Sequence, residues 1–273
     1  MGTDEIADAL GDFLAVRLER DTVEVRGLRR LSGGASRETW AFDLLDALDG
    51  SSEPLILQRV RAGPLSATFS MESESRLLAA AAGGGVPVAP VVAASDDKEV
   101  VGSPFLVMGR IEGETIARRI LRDDGFESAR AVLVEQCARA MAAIHRIAPD
   151  VAPHLRASDP VEQLRSLMDT LGQPHPAFEL GLRWLDEHRP PPVEPGVVHG
   201  DFRLGNLMVG PDGLAAVLDW ELAHLGDPME DLGWLCVRAW RFGSAAPVAG
   251  VGDYDELYAA YAAAAGVEVD PEV

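Results

Sequence analysis

The sequence predicts an α+β fold in two parts, β-rich over residues 1–110 and mostly helical over 111–273. Three observations carry this. A helical apolar period gives way to alternation after Arg20, Gly/Ser/Asp turns separate the strand-like runs, and helical spacing returns beyond Gly109.

The elements follow in order. Ile6, Leu10, Phe13, Leu14 and Leu18 recur at helical spacing, predicting a helix from Asp4 to about Arg20 behind a Thr3 or Asp4 cap. A strand starts at Val23 and runs to Leu31, and Thr39–Leu44 is its hairpin partner. Between them lies Ser32-Gly33-Gly34-Ala35-Ser36. Leu55–Val60 is a third strand, after the turn Asp49-Gly50-Ser51-Ser52. A helix over Thr68–Ala82 stops at three glycines, and strands follow at Val88–Ala93 and Phe105–Met108, making five. Gly109 to Gly113 is short and glycine-bracketed, as a hinge would be. Helices are then predicted at Thr115–Leu121, Ser128–Ile147, Val161–Leu171, Pro176–His188, Asp227–Val237 and Asp253–Ala265. Val197-Val198 and a hairpin of Leu207–Val209 with Ala215–Leu218 supply short strands between them.

Composition removes several function classes. The chain carries 44 Asp and Glu against 24 Lys and Arg, a formal net charge of −20, with −6 before residue 111 and −14 after it. Nucleic-acid and anionic-membrane binders need clustered Lys and Arg, so neither partner is expected. Lys98 is the only lysine, which excludes a G-x-x-x-x-G-K-[ST] phosphate loop and a Ser-x-x-Lys nucleophile pair. Cys137 and Cys236 lack ligand-spaced partners and read as buried apolar residues in a reducing cytoplasm. With no apolar run of membrane length and no basic, apolar leader, a soluble cytoplasmic protein is expected.

One segment carries chemistry. Val197-Val198-His199-Gly200-Asp201 places His-x-Asp after an apolar strand, Asn206 follows five residues on, and Asp219 ends another apolar run at Val217-Leu218. A carboxylate, an amide oxygen and a second carboxylate on neighbouring strand ends form an oxygen set for Mg²⁺, completed by water and nucleotide phosphates. A carboxylate beside it could accept a proton from an attacking hydroxyl. Taken singly, each has a structural use: His199 as a satisfied buried histidine, Asp201 in a turn, Asn206 and Asp219 as caps. Their joint order after a glycine-rich hairpin argues for a site.

This pattern resembles the catalytic and metal loops of protein kinases. With His-Gly-Asp in place of His-Arg-Asp, it is similar to the aminoglycoside phosphotransferase and choline-kinase-like branch. Within that branch it looks most like the phosphotransferase domains related to those fused to acyl-CoA dehydrogenases. Pro104–Met108, His199–Val209 and Leu218–Pro228 carry the likeness, which extends from about Leu28 to Ala265. The resemblance implies a bilobal protein-kinase-like fold, with residues 1–110 as the N-lobe and 111–273 as the C-lobe. It implies ATP, with GTP as the alternative nucleotide, together with Mg²⁺ and a small-molecule hydroxyl as acceptor. By position Asp201 becomes the catalytic base, His199 a brace for its loop, and Asn206 and Asp219 the metal ligands. Asp227 and Asp231 become structural carboxylates. Ser32, Gly33, Gly34, Ala35 and Ser36 become the nucleotide-covering loop, and Glu74 the helix carboxylate that holds a strand-three cation. Met108 to Ile111 would line the adenine pocket, with backbone groups of Arg110 or Ile111 reading the base edge.

Two departures stand out. Strand three has no lysine, so Gln58 or Arg59 must serve, and strand alternation lets only one of them face the nucleotide. Alignment favours Gln58 and charge favours Arg59. The family also continues with further helices beyond Val273, so the chain reads as a fragment or a shortened member. Trp220, Trp234 and Trp240 read as core aromatics, with the pocket wall as the alternative place for them. A kinase-shaped binding module and a metal-dependent hydrolase using His199, Asp201 and His224 are the competing classes.

Overall fold

A computed structural model describes residues 1–31, 37–61 and 70–270 of the chain. The predicted loop Ser32–Ser36 lies outside the described residues.

Helix α1 (Thr3–Arg17) is capped at Gly2, one residue before Thr3 and two before Asp4, and the Gly2 backbone N–H donates to Glu5 at 2.7 Å. Strands β1 (Val23–Arg30), β2 (Arg37–Asp46) and β3 (Ser52–Val60) form a meander. Helix α2 (Met71–Gly83) is capped by the Ser70 hydroxyl, which accepts from the Ser73 N–H. β4 (Val91–Ser95), a one-turn helix α3 (Lys98–Val101) and β5 (Phe105–Gly109) complete this part. β4 starts three residues later than predicted. Pro87 and Pro90 have no N–H for a ladder, and the Pro90 carbonyl instead accepts from the Gly109 N–H at 2.8 Å. The sheet order is β1-β2-β3-β5-β4, antiparallel throughout.

The sheet has two differently used faces. Leu55 and Leu57 join Phe42, Leu44, Phe105 and Val107 beneath Ile6, Leu10 and Leu14 of α1. Burying each such side chain stabilises by about 1.5–3 kcal/mol. On the opposite face, Ile56, Val60, Leu106 and Met108 join the larger core shared with α2 and the second half of the chain. Period-two alternation thus sends Ile56, Gln58 and Val60 one way, and Leu55, Leu57 and Arg59 the other.

Helix α4 (Ala117–Arg122) leads into α5 (Glu127–His145), whose Leu133, Cys137, Met141 and Ile144 are fully buried. Burial pushes the Cys137 thiol up to about 12, so it behaves as an inert apolar group. Helices α6 (Pro160–Leu171) and α7 (Pro176–Glu187) follow as a hairpin on the surface. Then come β6 (Gly196–Val198), the hairpin β7 (Leu207–Gly210) and β8 (Gly213–Val217), and β9 (His224–Gly226), which pairs with β6. Helix α8 (Met229–Leu235) and α9 (Tyr254–Ala265), packed on α5, complete the described fold. The fold is α+β, a five-stranded antiparallel sheet followed by a mostly helical region. No helix among the described residues is long and apolar enough to cross a membrane.

Candidate active site

Val197 and Val198 are wholly buried, and β6 thereby delivers His199-Gly200-Asp201 to the junction of sheet and helices. Gly200 has φ +76°, and a Cβ there would collide with the Leu222 carbonyl oxygen. Glycine is required at this turn. Asp231, from α8, is also wholly buried and accepts the backbone N–H groups of His199 at 2.8 Å and Gly200 at 2.9 Å. His145 Nε2 lies 3.1 Å from the same carboxylate, while His145 Nδ1 meets the Tyr261 hydroxyl at 2.7 Å. Burial opposes the Asp231 charge, but His145, His199 and the donated N–H outweigh it and hold the carboxyl below its usual range.

The His199 ring does not face the cleft. Its Nδ1 accepts from the Asp201 backbone N–H at 3.2 Å, so Nε2 carries the proton and donates to the Leu218 carbonyl at 3.0 Å. Burial lowers its pKa against the pull of Asp231 and the Leu218 carbonyl, keeping the ring neutral. His199 thus links the turn at Asp201 to the strand end that precedes Asp219.

The Asp201 carboxylate is held by three side chains. Arg203 Nε donates to Oδ1 at 2.9 Å, Trp234 Nε1 donates to Oδ1 at 2.7 Å, and Asn206 Nδ2 donates to Oδ2 at 2.6 Å. Asn206 Nδ2 also reaches the Asp201 carbonyl at 3.1 Å, leaving the amide oxygen turned to the other side. The Leu218 N–H donates to the Asn206 carbonyl at 2.8 Å, so the ends of β7 and β8 carry Asn206 and Asp219 side by side. Asp219 adopts φ +63°, a left-handed conformation that Asp tolerates better than most residues. Solvent reaches its side chain from the cleft, yet packing on the remaining sides desolvates it. Burial, then Glu221, Glu74 and Asp201, push its carboxyl up to about 6 against the opposing pull of Arg37.

The cation at this site comes from β2. Arg37 Nη1 and Nη2 donate to the two Glu74 carboxylate oxygens at 2.6 and 2.7 Å, both residues being buried. Nη1 also lies 3.3 Å from Gln58 Oε1, and Nε lies 3.4 Å from Glu221. Burial works against the guanidinium charge, but Glu74, Asp219 and Glu221 outweigh it and raise the pKa. The expected pairing of Glu74 with a strand-three group, Gln58 or Arg59, is corrected, because Glu74 takes both its bonds from Arg37 on β2. Arg59 faces away from Glu74, toward α1 and α3, and lies 3.5 Å from Glu38. Gln58 faces the cleft, as alternation requires, and contacts Arg37 without replacing it.

At the hinge, Met108 is buried and Ile111 packs on the larger core. Arg110 donates its backbone N–H to the Pro54 carbonyl at 3.0 Å, so that N–H is used within the sheet. Of the two expected base readers, Ile111 is the one whose N–H makes no hydrogen bond among the described residues. Cavities of about 740 and 410 Å³ flank the loop between β6 and β7, one beside Gly200 and Glu221, the other beside Arg203 and Gly205.

Arg37 and Arg203 escaped the sequence reading, and Trp234 entered it only as an aromatic of the core or pocket wall. Arg37 left a signal, because it shares a β-face with Gln58 in a chain whose strand three has no lysine. The hydrogen bond from Trp234 to Asp201 left none. Trp220 does lie in the core, at 5.0 Å from the His199 ring. His224 is engaged by Glu230 and the Leu222 carbonyl, which raise its pKa despite burial. Among the described residues no three His, Cys, Asp or Glu side chains converge as a metal cage, so the hydrolase reading finds no support.

The model of the Phosphotransferase enzyme family (APH) matches residues 27–270. The chain belongs to this family. Acyl-CoA dehydrogenase family member 10 of Mus musculus is 28% identical over 253 residues, 88% of this chain and 23% of the relative. Acyl-CoA dehydrogenase family member 11 of Homo sapiens is 25% identical over 258 residues, 85% of this chain and 32% of that protein. The chain therefore spans a quarter to a third of the length of these relatives. Among solved structures, a Ralstonia eutropha protein classed with the aminoglycoside phosphotransferases superposes with a TM-score of 0.71. It is 23% identical, and the match covers 96% of this chain and 81% of that one. Macrolide 2′-phosphotransferase of Brachybacterium faecium superposes at 0.61 with 22% identity, over 97% and 85% of the two chains. At these identities the structures establish the kinase-like fold of the phosphotransferases.

Proposed function

We propose that this chain is a nucleotide- and Mg²⁺-dependent small-molecule kinase, moving the γ-phosphoryl group of ATP, or of GTP, to a hydroxyl. The observation that carries this reading is the cluster of Asp201, Asn206 and Asp219 facing the Arg37–Glu74 pair. Solved relatives include a streptomycin–ATP complex, a GDP complex, and an ADP complex with spectinomycin. They support a nucleotide as the occupant of this cleft. The acceptor is a small molecule of aminoglycoside or hydroxyacyl type.

The residues fit a divalent ion. Burial, reinforced by the negative charge of Glu221, Glu74 and Asp201, drives the Asp219 carboxyl up to about 6, and a cation received there would relieve that charge. The Asn206 amide oxygen is left unclaimed by the bonds its nitrogen makes. Mg²⁺ takes few protein ligands and fills its octahedron with water and phosphate oxygens, so one carboxylate and one amide oxygen suffice. When bound, the ion neutralises charge on the transferring phosphates.

The chain's own residues do the rest. Arg37, anchored by Glu74, presents a fixed guanidinium to phosphate oxygens, and Ile111 offers backbone groups to the base. Asp201 orients the acceptor hydroxyl and takes its proton. His199 stays neutral and ties Asp201 to the Asp219 strand end.

Thermal shift with ATP plus Mg²⁺, compared with ATP plus chelator, followed by phosphate transfer to a library of hydroxyl compounds, tests the reading. Mg²⁺-dependent stabilisation and transfer are expected. Stabilisation without transfer to any acceptor or to water would favour a binding module, and neither effect would discard the kinase reading.

A further inference from the structure

We propose that Trp234, acting with Arg203, is the residue that aims the Asp201 carboxylate, and that Asp201 Oδ2 is the atom that receives the acceptor's proton. This rests on the kinase reading above. An ionised carboxylate offers about four lone-pair sites, two on each oxygen. On Oδ1 both are taken, by Arg203 Nε at 2.9 Å and Trp234 Nε1 at 2.7 Å. On Oδ2 one is taken, by Asn206 Nδ2 at 2.6 Å. A single site remains, and it is on Oδ2.

Fixing the carboxylate needs outside help. The terminal torsion of Asp is broad and nearly two-fold, so the backbone at Asp201 does not by itself fix the plane in which the carboxylate meets the acceptor. Two donors on one oxygen do fix it, and they leave the open lone pair on the other. They are themselves held in place. The Arg203 guanidinium stacks over the Trp240 ring at 4.6 Å, and Trp240 packs against Trp234 at 5.8 Å between centroids. Gly205 leaves the space that Arg203 Nη1 occupies, since a Cβ there would collide with it. Tryptophan suits the role because its indole N–H donates and never accepts, so it offers no alternative partner to the acceptor hydroxyl.

The step balances with water as the simplest acceptor. The acceptor oxygen forms a bond to Pγ as the bond from Pγ to the β,γ-bridging oxygen breaks, and that oxygen leaves with ADP carrying the bond electrons. The acceptor proton passes to Asp201 Oδ2 and from there to solvent.

The test is release of inorganic phosphate from MgATP by Trp234→Phe, which keeps a ring beside Trp240 and deletes only the donor. A charge-assisted donor of this kind is expected to lower kcat by about tenfold or more, with KM for ATP and the thermal midpoint unchanged. Arg203→Met removes the second donor on the same oxygen and should show the same split, which keeps the test available if Trp234→Phe folds poorly. In an Asp201→Ala background, Trp234→Phe should change the residual rate by less than about twofold, because there is no carboxylate left to aim. Both variants turning over at the wild-type rate, or equal losses with and without Asp201, would overturn the assignment. A wild type that releases no phosphate and modifies no acceptor would instead remove the kinase reading and this assignment together.

Discussion

Replacing Arg37 by Met leaves the Glu74 carboxylate with nothing to balance it, at a position where Glu74 is 3% and Arg37 11% exposed. Two hydrogen bonds of 2.6 and 2.7 Å disappear, and Asp219 and Glu221 already surround the site with negative charge. Removing one partner of a buried pair costs about 3–5 kcal/mol, whereas replacing both by apolar groups is often near neutral. In urea unfolding at pH 7, Arg37→Met should therefore lose about 3–5 kcal/mol, and Arg37→Met with Glu74→Met should recover most of it. Arg59→Ala is the contrast. Its partner Glu38 lies 3.5 Å away and is also approached by Arg30, so the ion pair itself should contribute less than about 1 kcal/mol. Nucleotide titrations should separate the two as well, with Arg37→Met losing MgATP affinity and Arg59→Ala retaining it. An Arg37→Met protein as stable as wild type, or a double variant no better than the single, would refute the argument. Loss of MgATP binding in Arg59→Ala alone would return the phosphate role to strand three.

Asp201→Asn should lower phosphoryl transfer by about 10²–10⁴-fold while MgATP still stabilises the fold, because the amide keeps the shape but takes no proton; wild-type turnover would remove Asp201 from the role of base. Asp219→Asn should abolish Mg²⁺-dependent nucleotide binding yet raise the thermal midpoint of the metal-free protein. A carboxyl raised to about 6 when folded has lost its stabilising contribution above that pH, so the gain should appear at pH 8 and vanish near pH 4. Asp231→Ala strands the N–H groups of His199 and Gly200 and should cost about 1–3 kcal/mol for each, read by chemical denaturation. Acid should loosen the same loop. His199 is held neutral below its unfolded pKa of about 6.5, so its contribution is present above that pH and is lost as pH falls, followed by that of Asp231 in more acid solution. A stability that is flat between pH 7.5 and 5.5 would contradict the His199 part.

The parts of the site legible in the sequence are those set by local spacing. His199, Asp201, Asn206 and Asp219 lie on one strand–loop–hairpin unit, where a five-residue interval and a hairpin register bring the side chains together. The alternation of Leu55 to Val60 likewise separates Gln58 from Arg59 before any tertiary contact is known. Element boundaries moved where backbone chemistry intervened, as at Pro87 and Pro90. What the sequence leaves hidden are pairings between distant segments. Trp234 reaches Asp201 across 33 residues, and His145 reaches Asp231 across 86, with no periodicity to announce either.

The missing strand-three lysine illustrates the same division. A helix carboxylate in this fold needs a cation from the cleft face of the sheet, and the position of that carboxylate, more than the strand of origin, sets the requirement. β2 and β3 are antiparallel neighbours, with Thr39 opposite Gln58 and Arg37 opposite Val60, so Arg37 and Gln58 project from one face as diagonal neighbours. From there a long, forked guanidinium on β2 reaches Glu74 while Gln58 stays in contact with it. Lysine on β3 would deliver one point charge. Arginine on β2 delivers a planar group that satisfies both Glu74 oxygens and still has Nε directed toward Glu221 and the Asp219 side of the cleft. On the kinase reading proposed above, Arg37 on the adjacent strand takes the place of a strand-three cation. Gln58→Lys should not tighten MgATP binding, because it would set a second cation beside Arg37 and compete for the same carboxylate.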